Sequence, residues 1–169
     1  PNGDGGGAQE DITAPQSAFD NARNHEVIDT EIVALSLTGS SVDDLSGIQS
    51  VTLTVKKMGS ETAVQNFPSD SFFDVFTALS CSDTPIETEL VALSLVSVNP
   101  LAVTWAPQNL WAPEIGIYCF EVSATDNVGN IEHTAVAGPL AYVPVPTISN
   151  ESETNVTETS FTVNWTTSH

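Results

Sequence analysis

The chain has 169 residues, 40% of them hydrophobic, and sets 22 Asp and Glu against three Lys and Arg, for a formal charge of −19. That length and apolar content suffice for a packed domain with some chain to spare, and the charge repels phosphate backbones and anionic membrane surfaces while favouring cations, which argues against nucleic acid and lipid as partners. Charged residues make up only 15%, below the roughly 25% usual in globular proteins, so Ser, Thr and Asn must cover the exposed faces, as in secreted and cell-surface proteins.

Residues 1–10, "PNGDGGGAQE", are Gly-rich without an apolar pattern and read as a flexible leader or linker. Because the chain opens on Pro1, with no basic-apolar leader and no stretch near the ~20 apolar residues of a membrane span, it reads as a processed or excised part of something longer, without membrane insertion. After the leader, apolar and polar residues alternate with the two-residue period of half-buried strands. In "EIVALSLTG" (31–39) Val33, Leu35 and Leu37 share one face, and in "IQSVTLTVKK" (48–57) Val51, Leu53 and Val55 oppose Ser50, Thr52 and Thr54. The run "SDSFFDVFTALS" (69–80) departs from this: Phe72, Val75, Phe76 and Leu79 are spaced i, i+3, i+4, i+7 behind a Ser-Asp-Ser start able to cap a helix, which predicts a short helix.

Further strands are predicted in "TELVALSLVSV" (88–98), "LAVTW" (101–105), "GIYCFEVSAT" (116–125) and "IEHTAVAG" (131–138), separated by Pro, Gly, Asn and Asp. "IDTEIVALSL" (28–37) is echoed by "IETELVALSL" (86–95), but the flanks differ. This predicts two strands of like design, neighbours in one sheet, rather than a duplicated domain. Cys81 and Cys119 are too few for a zinc ribbon and too far apart for a redox CxxC, and they predict one disulfide. Many short alternating strands between turn signals make an all-β antiparallel sandwich with a short helix the expected architecture.

Three segments in order, "DITAP" (11–15), "TGSSVDDLSGIQSVTLTV" (38–55) and "GIYCFEVSATDNVGN" (116–130), together resemble the bacterial immunoglobulin-like repeats of large surface and secreted proteins. Those repeats open with an Asp-x-Thr-x-Pro-like linker, carry an Asp-Asp-x-Ser-Gly turn after the second strand and end with Ala-Thr-Asp-x-x-Gly-Asn. The resemblance implies an immunoglobulin-like sandwich over residues 11–143. The interval from Lys57 to Pro113 is long for such a repeat, which implies an insertion holding the helix and Cys81. With Tyr118, Phe120, Val122 and Ala124 as the inner face of their strand, Cys119 points outward, so its disulfide would pin the insertion to the outside of a sheet. The same topology implies that the incoming linker and two of the turns meet at one end of the sandwich, gathering Asp11, Asp43, Asp44 and Asp126 with Glu10 and Asn127 nearby. Such hard oxygen ligands suit Ca²⁺; the alternative is that they serve the turns, by bonding to nearby backbone amides.

The segment after "YVPVP" (142–146) resembles the opening of a fibronectin type III domain, with strands near Thr147 and over Thr159 to Thr167, so residues 144–169 read as a linker plus an incomplete segment. Phe161, Val163 and Trp165 form an apolar stripe that about 25 residues cannot bury on themselves. It continues into a longer chain, is donated as a strand to another subunit, or packs back on the first domain. Asn150, Asn155 and Asn164 head N-glycosylation sequons.

No serine-nucleophile elbow, zinc-protease helix, phosphate loop or dinucleotide fingerprint occurs, and His25, His133 and His169 stand in unrelated contexts. Trp105 and Trp111 would stack on sugar rings if exposed, or fill the core and cover an edge if not. The expectation is a non-enzymatic extracellular structural module, the building block of a surface filament, stalk or adhesin. Its partners would be copies of itself, through strand donation, or adjacent domains of the same long chain. The alternative is an accessory domain of a secreted hydrolase, acting as a carbohydrate binder or spacer.

Overall fold

A computed structural model describes residues 10–28, 37–64, 69–108, 114–132, 134–143, 147–154 and 162–168. In chain order its elements are β1 (Gln16–Phe19), β2 (Glu26–Ile28), β3 (Gly39–Val42), β4 (Ile48–Gly59), α1 (Glu61–Val64), α2 (Asp70–Ala78), β5 (Glu87–Val91), β6 (Leu93–Asn99), β7 (Ala102–Pro107), β8 (Gly116–Asp126), β9 (Ala135–Tyr142), β10 (Thr147–Thr154) and β11 (Thr162–Ser168). Two sheets form the sandwich, one ordered β1-β3-β7-β6 and the other β2-β9-β8-β4-β5. Every pairing within them is antiparallel except β2 with β9. This is the ABED and GFC strand order of an immunoglobulin-like sandwich, with short extra strands on the second sheet.

Alternation in the sequence sets what each strand buries. Leu53 and Val55 of β4 lie opposite Val122 and Phe120 of β8, and all four are buried between the sheets with Leu37, Tyr118 and Leu140. Trp105 of β7, 2% exposed, meets the ring of Phe19 edge-on at 5.2 Å. At its start β8 is buried on both faces, because Ile117 and Cys119 point outward into a second core with Met58, Val64, Phe72 and Phe76. The Cys81–Cys119 disulfide is part of this second core and fastens the helical segment to the outer face of the five-stranded sheet. A loop of 38 residues closed this way is stabilised by about 4 kcal/mol on the chain-entropy estimate. The bond implies folding in a non-reducing environment. No described helix is long and apolar enough to cross a membrane.

The predicted helix is α2, capped by Ser69, whose Oγ accepts the Phe72 N–H at 3.3 Å. Its buried stripe is narrower than the spacing suggested: Phe72 and Phe76 are buried, while Val75 faces solvent. The insertion is also narrower, occupying the stretch between β4 and β5; the rest of the Lys57–Pro113 interval supplies β5, β6 and β7. The segment 88–98 is two strands rather than one, because the chain leaves the five-stranded sheet at Ala92 and enters the four-stranded one. The strand expected over 131–138 is shifted, running from Ala135 to Tyr142.

Of the two echoing decapeptides, the second begins beside β5, one edge of the five-stranded sheet, and ends in β6. All of the first except Ile28 and Leu37 lies outside the described residues, and with it the expected pairing of the two. β10 and β11 form a separate antiparallel pair, Thr147↔Ser168 to Thr154↔Thr162, at the two places where strands were expected. Val163 and Asn164 lie in β11 opposite Glu153 and Ser152. Trp165 is in β11 and Asn150 in β10. Phe161 and Asn155, like Trp111, His133, His169 and most of the strand expected over 31–39, lie outside the described residues.

Candidate metal centre

At one pole of the sandwich the turn after β3, the turn after β8 and the incoming chain meet. The first turn is wound around Asp43, whose Oδ2 accepts the N–H groups of Leu45 (3.2 Å) and Gly47 (2.5 Å). Gly47 has φ +85°, and a Cβ there would stand 2.2 Å from the Pro100 carbonyl, so the tight turn requires glycine. The second turn is wound around Asp126, whose Oδ1 accepts the N–H groups of Val128 (2.9 Å), Gly129 (2.7 Å) and Asn130 (2.8 Å). Asn127 stitches the two together: its backbone N–H reaches the Gly47 carbonyl at 2.9 Å and its Nδ2 the Ser46 carbonyl at 2.8 Å.

The incoming chain is held against both turns. Asp11 Oδ2 accepts the Ser46 N–H at 2.9 Å, and Asn130 Nδ2 donates to the carbonyls of Asp11 and Thr13 and to Asp126 Oδ2 at 2.7 Å. The result brings one carboxylate oxygen each from Asp11, Asp43 and Asp126 within 4.8 Å of one another. Burial pushes the fully buried Asp126 carboxyl up, but the Asn130 side chain and the three backbone N–H groups outweigh it and hold the group below its ordinary value, so it is ionised.

Two features set this cluster apart from turn chemistry. Asp43 is 9% exposed, and its Oδ1 is buried with no hydrogen-bond partner, an expensive state for a carboxylate oxygen. Nor has the chain a Lys or Arg to spare: its three basic residues are engaged elsewhere, Arg23 with Glu26, Lys56 with Glu121 and Lys57 with Glu114. No basic residue of the chain is therefore paired with these three carboxylates. Asp43 Oδ1, Asp126 Oδ2 and the Asp11 oxygens keep free lone pairs that could hold a cation such as Ca²⁺, with further oxygens from water. Beside the triad opens a shallow cavity of about 460 Å³, lined by Glu10, Asp11, Ile12, Leu45, Ser46, Val128 and Asn130.

Among the predicted ligands, Asp11, Asp43 and Asp126 converge and Asp44 does not, because as the next residue it faces solvent. Asn127 serves as a strut between turns, with its amide nitrogen committed to Ser46. Trp105 is a core residue whose Nε1 donates to Ser41 at 3.2 Å, which removes it as a sugar platform. Two contributors were not singled out from sequence. Asn130 is the clamp on the incoming chain, and Glu132 accepts the Ser17 N–H and hydroxyl and the Ala124 N–H, tying β1 to β8. A hydroxyl chain continues from Ser17 to Ser41 at 2.7 Å and on to Trp105. Comparisons with known protein families, with curated proteins and with solved structures find no match.

Proposed function

We propose that this chain is a non-enzymatic extracellular structural module, a link in a surface filament, stalk or adhesin, whose incoming end is stiffened by Ca²⁺. The observation that carries this reading is the unpartnered, buried Asp43 Oδ1 among three carboxylates that no basic residue of the chain neutralises. The path of the chain supports the link geometry. It arrives beside Asp126 at the far end of β8 and leaves β9 at Tyr142, which pairs with Gly116 at the start of β8. The eleven residues of β8 separate these poles by roughly 35 Å, so force applied to the chain would run along the sandwich. The disulfide and the scarcity of charge agree with an extracellular site. Bound at Asp11, a cation would fix the direction in which the preceding chain joins.

The test is thermal melting with and without Ca²⁺, on the parent chain and on Asp43→Asn. A hundredfold excess over Kd stabilises by about 2.7 kcal/mol, so Tm should rise by roughly 5–10 °C in the parent and stay unchanged in the variant. No shift in the parent at millimolar Ca²⁺ would overturn the reading.

A further inference from the structure

Among the described residues the two sheets end in four edges, and three of them carry the devices that keep strands from pairing with strangers. β1 is four residues long, follows Pro15, and has its Ser17 N–H taken by Glu132. β2 is three residues long and begins at Glu26, which pairs with Arg23. β5 contains Glu87 and Glu89. The fourth edge, β6, has seven residues, "LSLVSVN", with neither a charge nor a proline, and its one irregularity lies at its end, between Ser97 and Asn99. Leu95, Val96 and Val98 on it are 43%, 62% and 65% exposed.

This edge lies inside a larger neutral region: no residue between Glu89 and Glu114 carries a charge. The helical segment packs on the outer face of the five-stranded sheet around Met58, Ile117 and Cys119, whereas on the outer face of the four-stranded sheet Thr104 is exposed opposite Val96, and Val42 is exposed on the strand beyond. Charge decides which partner fits. A basic partner would be drawn to the acidic surfaces of this chain, while a second copy, itself at −19, is repelled by all of them and can approach closely only where there are no carboxylates. An antiparallel pairing about a two-fold axis also places a strand against itself, which like charges forbid and an uncharged strand allows.

We propose that β6 is a self-association edge, on which β6 of a second copy adds in antiparallel fashion and joins two four-stranded sheets into one of eight strands. The proposal rests on reading the chain as an assembling structural module, but uses none of the residues of the cation site. It is tested on the intact chain by sedimentation velocity from micromolar to submillimolar concentration, with Ca²⁺ and with chelator, and by hydrogen exchange at both ends of that range. The expected result is a reversible dimer under both conditions, with added exchange protection confined to 93–99. Val98→Lys should weaken it and Val96→Lys with Val98→Lys should weaken it at least about tenfold, with the melting temperature kept, since both side chains are solvent-exposed. A monomer at every concentration overturns the proposal. Association seen only with Ca²⁺ and lost in Asp43→Asn overturns it and leaves the cation reading standing, whereas a dimer without any Ca²⁺ binding does the reverse. Protection gained by 162–168 as well as 93–99 also overturns it, in favour of a donated β11.

Discussion

The turns after β3 and after β8 each bury an aspartate that folds the backbone around one of its oxygens, yet the two differ in how the second oxygen is used. Asp126 Oδ2 receives the Asn130 amide at 2.7 Å, so both of its oxygens are bonded. Asp43 Oδ2 organises its turn, while Oδ1 is buried and unpartnered, on a carboxylate that lies close to two others. Turn chemistry accounts for Asp126 in full and for only half of Asp43, and that unspent half is what the proposed cation site rests on. An acidic cluster alone would carry no such meaning.

Substitutions should separate the two aspartates by sign. The largest effect is expected for Asp126→Ala, which strips the acceptor from the Val128, Gly129 and Asn130 N–H groups and should lower Tm by roughly 5–10 °C with or without Ca²⁺. If Asp126→Ala melts like the parent, its hydrogen bonds are not what organises the turn. Acid should act on the same group. Its folded pKa lies below the ordinary 3.8, so its contribution is complete above that value and is lost as pH falls through the lower folded one. The gap in Tm between the parent and Asp126→Ala, measured in chelator, should therefore be constant near neutrality and close below about pH 4.

Asn130→Ala removes the clamp on the Asp11 and Thr13 carbonyls and should cost roughly 2–4 °C in Tm, with faster hydrogen exchange over 11–15 as the distinguishing readout. Asp43→Asn should do the opposite in chelator, raising Tm by about 1–2 °C, because the amide removes a buried charge that stands beside two other carboxylates. A lower Tm in that variant would mean that Asp43 Oδ1 is not strained without metal. The smallest effect belongs to Asp44→Asn, an exposed neighbour outside the triad, which should stay within about 0.5 kcal/mol of the parent and keep its Ca²⁺ response.

Much of this architecture is written in local alternation. Val51, Leu53 and Val55 mark the inner face of β4, and Tyr118, Phe120, Val122 and Ala124 that of β8, which places Cys119 on the outer face where the disulfide lies. Local pattern fails where a partner is remote in sequence. Asn130 and Asp11 are separated by 119 residues, and Glu132 and Ser17 by 115, so their pairing has no periodic signature. The break at Ala92 is hidden for another reason: either side of it alternates as a strand should, and only the sheet each half joins differs. Of the aspartates, the resemblance correctly assembled Asp11, Asp43 and Asp126, but a strand's alternation at its final turn could not tell Asp43, turned inward, from Asp44, turned out.

The central claim is that the unpartnered oxygen of Asp43 is completed by a calcium ion. Isothermal titration calorimetry of the chelator-stripped chain with Ca²⁺ tests it most directly. One site per chain is expected, with saturable heat that disappears in Asp43→Asn and persists in Asp44→Asn. No heat in the parent, or equal binding by parent and Asp43→Asn, would contradict it.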